Sequence, residues 1–273
     1  MNIHDKYKQL EQNLRALETV AVAFSGGVDS TFLLKVAHQA LADRAVAITA
    51  VSALYPERET AEARKFAATH SIRHIEHEAD VFAAAGFAEN PVNRCYLCKK
   101  NLFSDFIKII DRLGIPHLIE GSNIDDDGDF RPGMQAIKEL GILSPLREAG
   151  FTKMEIRQLS REMGLQTHDK PSFACFASRF PYGESITREK LKIVDESEQL
   201  LFEMGFRQVR VRYHGNLARI ETSPDEMKKI MQPAIRENIY AGLKKAGFAY
   251  VSVDLQGYRT GSMNETIKTN IQS

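Results

Sequence analysis

Two sets of residues in this 273-residue chain have the types and spacing to do chemistry, one made of glycine, serine and aspartate, the other of cysteine. The first is Ser25-Gly26-Gly27-Val28-Asp29-Ser30, between the apolar run VAVAF and a helical pattern that starts near Thr31. Paired glycines let the backbone come close to an anion, the free N–H groups of a helix start point at it, and the Ser25 and Ser30 hydroxyls add donors. Asp29 makes sense beside phosphates if it holds a divalent cation that neutralises them, and Mg2+ is the expected ion. The loop lacks the lysine of G-x-x-x-x-G-K-[ST] and the spacing of G-x-G-x-x-G, so neither an ordinary P-loop NTPase nor a dinucleotide site fits. The plain alternative is a serine-capped helix after a glycine turn. The complete hexapeptide between a strand and a helix argues against it.

The second set is Cys95, Cys98 and Cys175, the only cysteines of the chain. Cys95 and Cys98 stand at i and i+3 near a predicted helix start, which puts both sulfurs on one face, as two ligands of one metal require. Three thiolates without a fourth suit an iron-sulfur cluster with one open iron. A zinc site completed by His168 and plain free thiols are the other readings. In Gln208-Val-Arg-Val-Arg-Tyr-His214, alternation places Arg210 and Arg212 on one face, either a solvated sheet face or a fork for phosphate and carboxylate.

The elements that must position these groups follow from hydrophobic periodicity. Short apolar runs at 19–24, 45–51, 73–78, 117–120 and 142–146 read as strands, and amphipathic stretches at 31–41, 57–69, 95–113 and 152–163 as helices. The alternation predicts an α/β fold with a doubly wound parallel sheet. After Gly183 the pattern becomes a long helix at 187–204, strands at 208–214 and 217–222, another helix and a strand at 250–255, a smaller α+β domain. The expected division is 1–180 and 181–273, resting on Pro171, Pro181 and Gly183.

Lysine plus arginine equals aspartate plus glutamate at 36 each, so the overall field gives no reason to expect nucleic acid as a partner. The polar N-terminal run and the absence of about 18 successive apolar residues predict a cytoplasmic protein without a membrane span. An odd cysteine count argues for reduced thiols or metal ligands over a disulfide framework.

The hexapeptide resembles the S-G-G-x-D-S signature of the PP-loop ATP pyrophosphatases, which cleave ATP between the α and β phosphates and adenylate a substrate oxygen. That resemblance implies ATP as ligand and backbone contacts to adenine near Ala23 and the 51–52 region, including Ser52, with Gly121 as a further contact. FSGGVDS at 24–30, EGSNIDDDGDFRPG at 120–133, DKPSFACFASRFPYG at 169–183, VRVRYH at 209–214 and ARIE at 218–221 together resemble the LarE family of ATP-dependent pyridinium-3,5-biscarboxylic acid mononucleotide sulfurtransferases. The match covers nearly the whole chain.

The family resemblance implies adenylation of a substrate carboxylate and its conversion to a thiocarboxylate, a step toward the nickel-pincer nucleotide of lactate racemase. With all three cysteines present, it implies a 4Fe-4S cluster on Cys95, Cys98 and Cys175 that delivers sulfur, Cys175 otherwise being a sulfur donor in its own right. It implies substrate contacts at Ser178, Arg179, Arg210 and Arg212, a cation at Glu198 near a subunit interface, and hence a homo-oligomer. The acidic run Asp125, Asp126, Asp127 and Asp129 is expected to shape the active-site rim with Arg131. The competing readings are a tRNA-thiolating enzyme, an amidating ligase and a nucleotide-binding module without catalysis. Neutral charge weighs against the first, and the second has no need of Cys175.

Overall fold

The computed structural model describes residues 2–128, 132–259 and 261–264. They form two compact units, the first from residues 1–85 and 93–173, the second from 86–92 and 174–273. The division thus falls before the 180/181 boundary read from the prolines, and residues 86–92 join the second unit. Asn90 explains this local excursion: its side-chain amide donates to the Pro181 carbonyl at 2.6 Å and its own carbonyl accepts from the Gly183 N–H at 3.0 Å.

The first unit runs α1 (Ile3–Ala16), β1 (Val20–Ala23), α2 (Val28–Leu41), β2 (Ala45–Val51), α3 (Glu57–Thr69), β3 (His74–Glu78), α4 (Arg94–Arg112), β4 (His117–Ile119), α5 (Pro132–Glu139), α6 (Pro145–Glu148) and α7 (Lys153–Glu162). Its four strands are parallel in the order β3-β2-β1-β4. Alternate side chains feed the two faces. Val20, Val22, Ala45 and Ala47 pack with Leu10, Phe32 and Ile156 from α1, α2 and α7, whereas Ala21, Val46 and Ile48 pack with Phe103, Phe106 and Ile137 from α4 and α5. Both faces are therefore covered by helices, as the near-continuous apolar strands require.

The expected strand at 142–146 shrinks to a single parallel bridge between Ile119 and Leu143. Pro145 is the reason: it lacks the N–H a ladder needs and instead opens α6. The order of strands places β1 between β2 and β4, so the chain crosses to opposite sides at the carboxyl ends of β1 and β4. A crevice opens at such a switch point.

The second unit comprises α8 (Arg188–Glu203), β5 (Val209–His214), β6 (Leu217–Thr222), α9 (Met227–Ile230), α10 (Pro233–Ala246) and β7 (Tyr250–Val253). Strands β5 and β6 are antiparallel about a turn at Gly215–Asn216, where Gly215 takes φ +63°, and β7 adds in parallel to β6. Its core joins Leu201, Val209, Val211, Ile220, Ile239, Leu243 and Phe248. Among the described residues, no helix is long and apolar enough to cross a membrane.

Candidate active site

The loop after β1 enters α2 three residues earlier than the sequence pattern placed it. Helix α2 begins at Val28, its N-cap is Gly27, and no side chain caps it. The amides of the first turn are thus left for an anion, and the helix dipole favours one. Gly26 has φ +70°, a left-handed conformation that favours glycine, and its α-carbon packs close to Ala63 and the Glu59 carbonyl. The Ser25 and Ser30 hydroxyls lie 3.1 Å apart, and Ser30 Oγ donates to the Gly27 carbonyl at 3.3 Å, which holds the loop in shape.

Across the switch point, Gly121 follows β4. A β-carbon on Gly121 would stand 3.0 Å from the Ser30 nitrogen and 3.2 Å from the Asp29 carbonyl carbon, so two backbones meet here without room for a side chain. A cavity of about 530 Å³ opens at this place, within the range of small-ligand sites. Its polar wall is Ser25, Gly27, Asp29 and Ser30, and its apolar wall is Ala23, Ile48, Ala50, Leu102 and Phe103. Such a division suits a polyphosphate at the helix start and a flat base on the apolar side. Of the adenine contacts expected, Ala23 lines the cavity. Ser52 is not among its lining residues, and its hydroxyl accepts from the Leu54 N–H at 3.4 Å; Ile48, Thr49 and Ala50 of β2 hold that wall instead.

Asp29 Oδ2 accepts from Lys153 Nζ at the start of α7, while Oδ1 is shielded from solvent with no hydrogen-bond partner among the described residues. Burial raises the carboxyl's pKa, against the opposing pull of Lys153. A buried carboxylate oxygen without a partner, beside an anion site, is fitted to a divalent cation. Lys153 is itself placed by Asp125, whose Oδ2 accepts the Lys153 N–H at 2.8 Å, while Asp126 Oδ2 accepts the Asn123 N–H at 3.0 Å. Asp125 and Asp126 line the cavity, whereas Asp129 and Arg131 lie outside the described residues.

Sequence reasoning missed Lys153, Lys170 and Glu120 in this cavity. Glu120 is buried, accepting from Ser144 Oγ at 2.5 Å and Ser122 Oγ at 2.8 Å. Each of the three has a partner far along the chain, and no periodicity marks them. The signal that could have found the lysines is the need of a polyphosphate site lacking a P-loop lysine to take cations from elsewhere.

The cysteines divide between the units. Cys95, exposed, and Cys98, half-buried, lie on the first turns of α4, with Cys98 lining the cavity; Cys175 opens a short turn in the second unit. None is in a disulfide. Among the described residues, no three His, Cys, Asp or Glu side chains are gathered as one ligand set.

Around Cys175 the second unit builds a buried array of charge. Arg179 is fully buried; its Nε and Nη2 donate to the two oxygens of the fully buried Glu198 at 2.8 Å each, and its Nη1 donates to the Ala174 carbonyl at 2.6 Å. Glu198 Oε1 also accepts the Val211 N–H at 2.9 Å, so the carboxylate on which a cation was expected is held by Arg179 through both oxygens and by β5 through one. Arg212 donates to Glu221 at 2.6 Å and to the Ser178 carbonyl at 3.0 Å, and its Nε is shielded with no partner among the described residues. Arg210 lies under Tyr258, and burial together with Arg179 lowers its pKa to about 10. The solvated sheet face considered for this pair is thus excluded: Arg210 and Arg212 are 3% and 4% exposed. Three buried guanidiniums face two buried carboxylates, and the excess of positive charge suits an anion.

A parallel α/β sheet with a glycine-serine-aspartate loop at its switch point defines the PP-loop ATP pyrophosphatase class of enzymes. In agreement, a family model described as asparagine synthase matches residues 7–91. The chain is 42% identical to an uncharacterised protein of Synechocystis over 97% of its own length and 99% of that protein's. It is 34% identical to pyridinium-3,5-bisthiocarboxylic acid mononucleotide synthase of Lactiplantibacillus plantarum over 93% of this chain and 92% of the relative. A glutamine-hydrolysing GMP synthase component of Archaeoglobus fulgidus is 23% identical over 74% of this chain and 69% of its own. The chain belongs to the LarE family, that of the Lactiplantibacillus synthase, and is an ATP-dependent sulfurtransferase of the PP-loop class.

Proposed function

We propose that the protein adenylates a carboxylate of pyridinium-3,5-biscarboxylic acid mononucleotide and replaces the AMP with sulfur to give a thiocarboxylate, a step toward the nickel-pincer nucleotide cofactor of lactate racemase. The observation that carries the reading is the uncapped start of α2 beside the partnerless oxygen of Asp29, at the mouth of an apolar-walled cavity. The amides of that turn hold the polyphosphate, and Ala23, Ile48 and Ala50 take the adenine. Asp29 would hold Mg2+, which neutralises charge as pyrophosphate leaves. A carboxylate oxygen of the substrate attacks the α-phosphorus, and the acyl adenylate so formed exposes an electrophilic carbon to sulfur.

The phosphate and carboxylate of the substrate find forked donors in Arg210 and Arg212, with Ser178 and Arg179 beside Cys175. Sulfur delivery falls to Cys95, Cys98 and Cys175. A 4Fe-4S cluster would take Cys95, Cys98 and Cys175 as its ligands and would leave one iron open to carry the sulfide to be transferred. Anaerobic protein incubated with ATP, Mg2+ and the biscarboxylated mononucleotide, then weighed, tests the reading. A product heavier by the exchange of oxygen for sulfur supports it, and its absence contradicts it. Protein lighter by one hydrogen sulfide assigns the sulfur to Cys175, whereas unchanged protein holding iron and labile sulfide assigns it to a cluster.

The likeness to a GMP synthase favours one second reading, an amidating ligase. Full turnover by Cys175→Ala with ammonia as acceptor would support that chemistry instead.

A further inference from the structure

Lys170 lines the cavity of the loop, and its side chain is only 15% exposed. Its ammonium stands 2.8 Å from Glu59 Oε2 and 2.6 Å from Glu62 Oε2, and it donates to the Gly26 carbonyl within the phosphate loop at 3.2 Å. The backbone that carries it is fixed independently. Arg157 donates to the carbonyls of His168 at 2.6 Å and Lys170 at 2.8 Å, and the Arg58 guanidinium lies 5.4 Å over the Phe173 ring. Burial pulls the lysine's pKa down, but Glu59 and then Glu62 outweigh it and the net shift is upward, so the group is a cation at neutral pH.

Two carboxylates beside a polyphosphate site oppose the ligand by Coulomb repulsion, and the cation that offsets them is the one that touches the loop's own backbone. Lysine binds phosphate as a movable point charge on a flexible stem, so the ammonium can exchange one set of anions for another while the backbone stays in place. Lys153 differs, since its ammonium is engaged by Asp29 itself.

We propose that Lys170 is a polyphosphate-binding residue held in reserve by Glu59 and Glu62, which act as internal competitors that set how tightly ATP is held and how readily pyrophosphate leaves. The inference rests on the reading of the loop as the ATP site and adds the cation that the loop's own sequence lacks.

Calorimetric titration of the full-length protein with Mg-pyrophosphate and, separately, Mg-ATP tests it. Lys170→Met is expected to weaken pyrophosphate binding about tenfold or more, and Lys170→Arg to retain most of it. Glu59→Gln is expected to tighten binding about threefold, a gain that disappears when Lys170→Met is added. A purely structural ion pair predicts the reverse for Glu59→Gln, no gain in affinity and a lower melting temperature, and that result overturns the proposal. So does a folded Lys170→Met protein that binds pyrophosphate like the wild type. In either case wild-type protein that still binds ATP leaves the reading of the loop standing, whereas wild-type protein that binds neither ligand overturns both.

Discussion

Arg179 and Glu198 form a bidentate pair, two N–H···O bonds of 2.8 Å between side chains that are both fully buried. Breaking such a pair leaves a charge in a low-dielectric interior, so Glu198→Gln should cost about 3–5 kcal/mol at neutral pH, read from urea unfolding. Burial pushes the Glu198 carboxyl up, but Arg179 outweighs it and holds the pKa below the usual carboxylate value. A depressed folded pKa contributes stability that is present above the unfolded value and lost as pH falls through the folded one. The penalty of the substitution should therefore be full near pH 7 and shrink only under acid conditions below the ordinary carboxylate range. A penalty that vanishes already near neutrality would contradict the pairing.

Asp29 has the opposite sign. Its pKa is raised by burial, so its ionised form is disfavoured by folding and costs stability above its unfolded pKa. Asp29→Asn is expected to melt at or above the wild-type temperature while pyrophosphate formation falls to background. Loss of activity together with a lower melting temperature would instead make Asp29 a structural residue.

Gly121→Ala tests the meeting of two backbones. The added methyl would stand 3.0 Å from the Ser30 nitrogen, and neither backbone can swing aside as a side chain could. The strain should amount to about 1–3 kcal/mol and emerge mainly as weaker ATP binding, because the atoms displaced are those of the loop. Unchanged ATP affinity would count against the loop.

Arg210 sits in the array of three guanidiniums and two carboxylates. A lowered arginine pKa means that the fold disfavours its charge, so Arg210→Met should be neutral or stabilising, in contrast to the cost of removing Arg179. Its effect should fall on KM for the phosphorylated substrate, with KM for ATP unchanged. Equal effects on both would contradict the assignment.

Local features of this fold were legible in the sequence. Continuous apolar runs and amphipathic spacing located β2 at Ala45–Val51 and α3 at Glu57–Thr69 to the residue, because burial and amphipathicity are local properties. The glycine-serine-aspartate loop was equally plain, since each residue type answers a need of its own. The alternation at Arg210 and Arg212 revealed a common face but not its burial, for the carboxylates that offset its charge, Glu198 acting on Arg210 and Glu221 bonded to Arg212, come from α8 and β6. The pairing of Lys153 with Asp29 spans 124 positions, and that of Lys170 with Glu62 spans 108. Contacts set by the crossing of β1 and β4 leave no periodic trace.

Cleavage of ATP between its α and β phosphates at this loop is the central claim. Chromatographic analysis of the nucleotides after incubation with Mg2+ and the biscarboxylated mononucleotide should show AMP and pyrophosphate in equal amounts, only when substrate is present and not with Asp29→Asn. Formation of ADP and inorganic phosphate, or AMP release that survives in the Asp29→Asn protein, would contradict it.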